Sequence, residues 1–167
     1  MNAPNSSNPS IEELVQQLAT TLIDKGWMLA TAESCTGGMI AAACTDLAGS
    51  SQWFERGFVT YSNEAKTDLL GVPAAMIAQH GAVSEEVARA MAQGAVNRSR
   101  AQTSIAVTGV AGPGGGSAEK PVGTVWVACC VQEHTLTQCL HLDGDRAEVR
   151  LATVIQALTM LLGELKK

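Results

Sequence analysis

Aromatic residues and charges of either sign are scarce in this sequence of 167 residues. Aromatic side chains make up 4 % of it and charged side chains 16 %, whereas 46 % of the residues are hydrophobic. A chain this apolar is not expected to be disordered, and with so few aromatics its core must consist mainly of Ala, Val, Leu, Ile and Met. The net charge of −5 is opposite in sign to the basic surface of a nucleic-acid-binding domain, so no nucleic-acid partner is expected.

Signals for export and for membrane insertion are also missing. No apolar run reaches the ~18 residues of a transmembrane helix, so no membrane partner is expected. The first ten residues, MNAPNSSNPS, have neither the basic nor the apolar region of a signal peptide. We therefore predict that residues 1–9 form a disordered tail and that residues 10–167 form a single domain.

Cysteine and histidine occur without the spacing of a disulfide framework or a metal site. The five cysteines are odd in number and form no C-x-x-C pair, which is typical of reduced thiols in the cytoplasm. His80 is isolated, and His134, Cys139 and His141 share one segment without the spacing of a zinc site. The sequence therefore predicts a cytoplasmic protein with no metal and no cofactor, and no histidine suits a Ser-His-Asp triad.

Strand and helix patterns alternate along most of the chain. N-cap signatures occur at Ser10, Ser84 and Asp145, each followed within three residues by a glutamate. Short apolar runs predict strands over residues 27–31, 54–61, 103–108, 122–131 and 135–142, and helices are predicted to begin near residues 11, 39, 63, 85 and 146. The helix over 39–47 is alanine-rich and is expected to be buried. This order predicts an α/β fold, a three-layer α/β/α sandwich with a mixed, mainly parallel sheet that ends in a hairpin.

Three of the predicted strands end in polar residues or glycine. Their ends lie next to Ser34, Tyr61 and Thr108, and Lys66 follows the second of them within a short predicted helix. If these strands are parallel, as helical crossovers require, their carboxyl ends share one edge of the sheet, where open α/β sheets bind ligands. We therefore expect these four side chains to converge although they are scattered along the sequence.

Ser34 begins a turn that contains Gly37 and Gly38 and leads into a predicted helix. Backbone N–H groups at a helix start can hold an anion or a developing oxyanion, and the glycines allow a substrate to approach the backbone. Ser34 is therefore a candidate nucleophile, with Cys35 as a rival in the same turn. The alternative is that Ser34 or Thr36 is simply the helix N-cap and that Cys35 is a small buried hydrophobe.

Lys66 is a candidate general base for that serine. A lysine can take this role if burial lowers its pKa, because only the neutral amine accepts a proton. The alternative is a solvated surface lysine. The two residues do not form the local S-x-x-K pattern, so their spacing alone gives little support to the pair.

The densest glycine stretch is GVAGPGGGS at residues 109–117. It lacks the G-K-[ST] ending of a P-loop and does not match G-x-G-x-x-G. A flexible surface loop and a backbone cradle or lid for a small ligand both fit this composition. Arg146 and Arg150, one turn apart on the last predicted helix, could bind a phosphate or could be two solvated arginines.

Several segments taken together resemble the CinA C-terminal domain family. They are TAESCTGG at 31–38, GFVTYSNEAK at 57–66, HGAVS at 80–84, TGVAGP at 108–113 and KPVGTV at 120–125. The resemblance extends over nearly the whole chain from about residue 10 to residue 160, and the joint occurrence of these segments is highly specific. It implies an α/β/α fold like that of the anticodon-binding domain. It also implies nicotinamide-nucleotide amidase activity, the hydrolysis of nicotinamide mononucleotide to nicotinate mononucleotide and ammonia in pyridine nucleotide salvage.

The resemblance also implies site residues and partners. A serine nucleophile with a nearby lysine and tyrosine, as in this family, corresponds to Ser34, Lys66 and Tyr61. The family needs no metal, acts on a small-molecule nucleotide and forms homo-oligomers, so a dimer is expected. In many bacteria this domain follows a molybdopterin-binding-like domain, and without that domain the chain resembles the stand-alone amidases.

The mechanism implied by this resemblance is acyl transfer. Lys66 deprotonates Ser34, whose Oγ attacks the carboxamide, while Tyr61 orients Lys66 or relays its proton. Backbone N–H groups near 35–38, or near Gly109, would hold the oxyanion. The residues predicted to bind substrate are Thr36, Gly37, Gly38, Thr108, Gly109, Gly112 and Arg146, of which the last would hold the 5′-phosphate together with the glycine-rich loop. The alternative function is a nucleotide-binding or regulatory module with negligible turnover.

Overall fold

A computed structural model describes residues 8–167, so most of the predicted tail at 1–9 lies outside the described residues. The helices are α1 Ile11–Lys25, α2 Met39–Thr45, α3 Asn63–Leu70, α4 Ala74–His80, α5 Glu85–Asn97 and α6 Arg146–Leu165. The strands are β1 Leu29–Glu33, β2 Phe54–Val59, β3 Thr103–Gly109, β4 Thr124–Val131 and β5 His134–His141. Within residues 8–167, no helix is both long enough and apolar enough to cross a bilayer.

The strands form one mixed sheet in the order β2-β1-β3-β4-β5. β1 pairs in parallel with β2 and with β3, whereas β4 runs antiparallel to both β3 and β5, so four of the five strands point the same way. Glu33 lies opposite Val59 on one side and Val107 on the other. The three parallel strands therefore end at nearly the same level.

Helices cover both faces of this sheet. On one face, α1 and α6 pack against alternate residues of β1, β3 and β4, with Leu18, Leu158 and Leu161 in the centre of the core. On the other face, α5 packs closely on a layer of strand alanines, including Ala30 and Ala106, with α3 and α4 beside it. The core on this second face consists mainly of small apolar residues and not of aromatics. The predicted α/β/α sandwich with its mixed sheet is confirmed.

The boundaries of several elements differ from the sequence-based prediction by one or two residues, and packing explains the differences at β1 and α2. β1 was predicted over 27–31 but covers Leu29–Glu33, because helices bury both faces of this central strand, and even Thr31 and Glu33 are fully buried. The helix predicted over 39–47 ends at Thr45, and only Ile40 and Cys44 on it are buried. It packs near the edge strand β2, so the alanines on its outer side stay partly exposed.

A close contact between α3 and α5 determines where α3 lies. Gly94 is in the middle of α5, where a Cβ atom would overlap the carbonyl group of Leu70 at the end of α3. Glycine costs ~1 kcal/mol in a helix interior relative to alanine, so its presence here is explained by this approach of two backbones. The contact brings α3, and with it Lys66, against the ends of the parallel strands.

Candidate active site

The ends of the parallel strands surround a cavity of about 210 Å³. Ser34 directly follows β1, and its amide continues the strand ladder by donating to the Val107 carbonyl at 3.0 Å. Thr60 does the same beyond β2, with its amide 2.9 Å from the Glu33 carbonyl. The residues that line the cavity come from five separate segments: Ser34, Cys35, Tyr61, Asn63, Lys66, Ala82, Val83, Thr108, Gly109, Ala111 and Arg146. The four side chains expected to converge all line this cavity.

Lys66 is one of the most deeply buried side chains of the protein, with 1 % of its surface exposed. Ser62 caps α3 by accepting from the Ala65 amide, which places Lys66 in the first turns of the helix. Its Nζ lies 3.0 Å from Ser34 Oγ and 2.8 Å from the Thr60 carbonyl, and the Tyr61 carbonyl is 3.3 Å away. No carboxylate hydrogen-bonds to this amine among the described residues.

Burial, and not the choice of hydrogen-bond partners, favours the neutral form of the lysine. The carbonyl oxygens of Thr60, Tyr61 and Ser62 can only accept, and either the ammonium or the neutral amine can donate to them. The hydroxyl of Ser34 can accept from the ammonium or donate to the lone pair of the neutral amine. Burial lowers the pKa of Lys66 from its ordinary value, because desolvation disfavours the ammonium form. The pair therefore has the geometry of a nucleophile and its general base.

Cys35 lines the same cavity but is poorly suited to attack. Its side chain is buried, and desolvation raises the pKa of the thiol to about 11. A thiol with a raised pKa supplies little thiolate near neutral pH, and the thiolate is the nucleophilic form. Of the two adjacent candidates, the geometry favours Ser34.

Glu33, which sequence reasoning left without a function, organises the turn after Ser34. This fully buried carboxylate accepts from Thr36 Oγ1 at 2.6 Å, from the Ile40 amide at 2.8 Å and from the Ala41 amide at 3.0 Å. A carboxylate at a helix N-terminus satisfies backbone donors and interacts favourably with the helix dipole. The hydroxyl of Thr36 is thereby turned away from the cavity.

The glycines of the turn have backbone conformations that other residues rarely adopt. Gly37 has φ +59° and Gly38 has φ +109°, and Gly38 is the N-cap of α2. Neither glycine lines the cavity, and neither does Thr36. These three predicted substrate-binding residues therefore shape the turn that carries Ser34.

Arg146 and Tyr61 form the outer rim of the cavity. Arg146 donates from Nη1 to the Gly112 carbonyl at 2.8 Å and from Nη2 to the Tyr61 hydroxyl at 3.3 Å. Tyr61 meets Lys66 through its main-chain carbonyl, while its exposed ring carries the hydroxyl to the arginine. Gly112 lies outside the lining residues and serves as the anchor of this arginine. The glycine-rich loop thus reaches the site directly through Gly109 and Ala111 and indirectly through the Gly112 carbonyl, to which Arg146 donates.

Two further predicted residues, Thr108 and Gly109, lie at the end of β3 on the cavity wall. The Thr108 hydroxyl donates to the Ala82 carbonyl at 2.9 Å, which holds the segment before α5 against the site. Sequence reasoning missed Ala82 and Val83, since apolar side chains carry no chemical signal. It also missed Asn63, which belongs to the YSNEAK segment. In the part of the chain that the structure describes, no group of three or more His, Cys, Asp or Glu residues could hold a metal ion.

Named proteins of similar length match almost the whole chain. A nicotinamide-nucleotide amidohydrolase PncC from Enterobacter agglomerans is 49 % identical over 162 residues, which cover 96 % of this chain and 99 % of that protein. PncC from Escherichia coli is 48 % identical and covers 93 % of this chain and 94 % of its own. A longer relative, the CinA-like protein of Geotalea daltonii, is 53 % identical, but the matched region is only 37 % of that protein.

Solved structures of the same family have the same fold. The competence/damage inducible protein CihA from Agrobacterium tumefaciens superposes with a TM-score of 0.91 at 51 % identity, covering 97 % of this chain and 99 % of that one. A CinA superfamily protein from Enterobacter cloacae gives a TM-score of 0.94 at 34 % identity, covering 99 % and 98 %. The family model described as the CinA C-terminal domain matches residues 11–165. The chain therefore belongs to the CinA C-terminal domain family.

Proposed function

We propose that this protein is an amidase that hydrolyses nicotinamide mononucleotide to nicotinate mononucleotide and ammonia. The observation that carries the proposal is the buried amine of Lys66, 3.0 Å from the hydroxyl of Ser34 at the edge of a cavity. Relatives named nicotinamide-nucleotide amidohydrolase, similar over nearly their full length, indicate the substrate. The reaction class follows from the pair itself, because a serine with an adjacent base suits acyl transfer.

The first half of the reaction forms an acyl-enzyme. Neutral Lys66 takes the proton of Ser34 as Oγ attacks the carboxamide carbon, and the carbonyl oxygen becomes an oxyanion. The ammonium of Lys66 then returns the proton to the leaving nitrogen, and the carbon–nitrogen bond breaks to release ammonia. In the second half, water attacks the ester with Lys66 as base, and nicotinate mononucleotide leaves.

The oxyanion is expected to bind the amides that follow the nucleophile. Among the described residues, the N–H groups of Cys35 and Thr36 donate no hydrogen bond to another residue. They belong to the turn that starts at Ser34, and a developing oxyanion is their natural acceptor. A single donor of this kind contributes ~3 kcal/mol to transition-state stabilisation.

The size of the cavity matches part of a nucleotide. At about 210 Å³ it is smaller than the ~300–1,000 Å³ of most ligand pockets, so it would hold the nicotinamide ring. A second cavity of about 590 Å³ shares Ala111 and Arg146 with it and continues along Pro113 and Val122. The ribose and phosphate would extend into this second cavity past Arg146, whose remaining N–H groups suit a phosphate.

Three expectations from the sequence remain predictions. The first is that Tyr61 orients Lys66 or relays its proton to the leaving ammonia. The Tyr61 hydroxyl contacts Arg146 at the rim and not the amine of Lys66, which favours the relay over the orienting role. A dimer is supported by the resemblance. A cytoplasmic location is supported by five free cysteines, four of them buried. Sedimentation of the purified chain and fractionation of cells test the last two.

Ammonia release from nicotinamide mononucleotide tests the function. We expect stoichiometric ammonia and nicotinate mononucleotide from the purified protein, at a rate unchanged by a chelator, and no product from Ser34→Ala. Saturable binding of the nucleotide by calorimetry without ammonia would instead support the nucleotide-binding or regulatory module. Loss of activity on chelation, restored by one divalent ion, would contradict the metal-free mechanism.

A further inference from the structure

Arg150 holds the turn that carries the nucleophile. This half-buried side chain on α6 binds the turn after Ser34, where Nε donates to the Cys35 carbonyl at 3.0 Å and Nη2 donates to the Thr36 carbonyl at 3.2 Å. The guanidinium also lies against Gly37, since a Cβ atom there would be 3.6 Å from Nη2. Both donors are therefore used on two consecutive peptide groups directly after Ser34.

Holding these carbonyls orients the amides on the opposite side. In a trans peptide the C=O of one residue and the N–H of the next point in opposite directions. The bond from Arg150 to the Cys35 carbonyl therefore sets the direction of the Thr36 N–H. The Cys35 N–H belongs to the Ser34–Cys35 peptide, whose carbonyl accepts from the Gly37 amide at 3.0 Å. That Gly37 amide lies in the Thr36–Gly37 peptide, whose carbonyl Arg150 also binds.

The two arginines of α6 thus have different tasks. Arg146 is on the rim of the cavity. Arg150 is absent from the cavity wall and donates instead to the main-chain carbonyl of Cys35 in the turn. We propose that Arg150 is a positioning residue that holds the turn directly behind Cys35, which lines the cavity, and so keeps the Cys35 and Thr36 amides aligned as oxyanion donors. The inference rests on the proposed acyl transfer at Ser34, but it does not depend on which amide or ester is the substrate.

The expected result is a defect in kcat. Without Arg150 the Cys35–Thr36 peptide can rotate, and its N–H loses alignment with the oxyanion. Deleting an oxyanion donor lowers kcat by ~100–1,000-fold, so a misaligned one in Arg150→Met should cost ~10–100-fold, with KM changed by less than about 2-fold. Guanidinium ion at tens of millimolar should restore part of the rate.

Arg150→Lys and Arg89→Met provide the comparison. Lysine keeps the charge but can reach one carbonyl at a time, so Arg150→Lys should lose less kcat than Arg150→Met and gain nothing from guanidinium. Arg89 is also half-buried and donates to a strand carbonyl, that of Thr135, at 2.8 Å, away from the cavity. Arg89→Met should keep the wild-type kcat. If Arg150→Met does not fold, a kcat of Arg150→Lys below that of the wild type supports the inference, and an unchanged kcat contradicts it.

Acylation of Ser34 by p-nitrophenyl acetate separates this inference from the substrate assignment. Oγ attacks the ester carbonyl, p-nitrophenolate leaves, and the acetylated Ser34 peptide is found by mass spectrometry. Slower acylation in Arg150→Met than in the wild type supports the inference, even if nicotinamide mononucleotide proves not to be the substrate. A raised KM with normal kcat, an equal loss in Arg89→Met, or unchanged acylation would overturn it. A wild-type Ser34 that no reagent acylates would overturn both proposals.

Discussion

Replacing Lys66 by methionine is the most direct test of the mechanism. Methionine has a similar length and fills the buried site, but it cannot accept the proton of Ser34. A positioned general base contributes ~100–10,000-fold, which corresponds to ~2.7–5.4 kcal/mol of activation free energy. Since Nζ is 3.0 Å from Oγ and has no carboxylate partner, we expect kcat to fall by this full factor.

The double variant gives the sharper result. In the proposed mechanism Ser34 and Lys66 act on one proton, so Ser34→Ala combined with Lys66→Met should be little slower than either single change, whereas independent effects would multiply. Lys66→Arg should not restore activity, because a guanidinium stays protonated. Lys25→Met provides the matched control: this exposed lysine lies over the Trp27 ring at the far end of β1.

The pH dependence follows from the same burial. In the proposed mechanism only neutral Lys66 is active, so kcat/KM should rise with pH through a pKa below the ordinary 10.5. Between that lowered pKa and 10.5 the unfolded chain binds more protons at this lysine than the folded chain, so the contribution of Lys66 to the free energy of unfolding rises with pH. Buried thiols such as Cys35, whose pKa is raised, contribute the opposite slope. The rise in kcat/KM should therefore vanish in Lys66→Met, and the free energy of unfolding of the wild type should gain on that of Lys66→Met as the pH rises through this window.

The assay is initial-rate ammonia release, made well below the melting temperature. The change leaves the Thr60 and Tyr61 carbonyls without their donor, which costs ~1–3 kcal/mol of stability for a buried group. The thermal midpoint of each variant is therefore measured beside its rate. A Lys66→Met protein that keeps more than a tenth of the wild-type kcat would refute the assignment of the base.

Three other changes probe the site and its supports. Cys35→Ala should keep most of the activity, because its buried thiol is largely protonated, and a dead Cys35→Ala beside an active Ser34→Ala would identify the thiol as nucleophile. Arg146→Ala should lower kcat/KM for nicotinamide mononucleotide by ~10–100-fold, the loss of a charge-assisted contact of ~1.5–3 kcal/mol. Arg146→Ala should change the turnover of nicotinamide riboside little. If the wild type turns over the riboside and the mononucleotide equally well, Arg146 does not bind the phosphate. Gly94→Ala should lower both the thermal midpoint and kcat, because the added methyl group pushes α3 outward. The control Gly163→Ala, in open space on α6, should stabilise the protein by ~0.5–1 kcal/mol. If the two variants change the thermal midpoint and kcat alike, the contact with Leu70 does not position Lys66.

Local signals in the sequence predicted most of the secondary structure. Ser10 and Asp145 each form the capping box expected of them, and Ser84 caps α5. Such signals act over three or four residues, so they are visible without the fold. The ends of β1 and α2 were wrong because burial by distant helices, and not local composition, determines where these elements stop.

The site was only partly visible in the sequence. The shared edge of parallel strands predicted that Ser34, Tyr61, Lys66 and Thr108 would meet, and they line one cavity. Glu33 gave no such signal, because a carboxylate at the end of a strand is recognised as an anchor only when the amides it accepts from are known.

The sequence by itself determined the fold class and the edge of the sheet where chemistry is expected, since the alternation of strands with helices and the polar strand ends follow from patterns along the chain. Tertiary structure alone decided how the pKa of the lysine shifts and which groups donate to the turn. The pKa of Lys66 is lowered because the fold buries its amine, which no local pattern shows. Whether an arginine of α6 reaches the cavity or the turn after Ser34 depends on the direction of its side chain, and Arg146 and Arg150, one turn apart, point to these two different places.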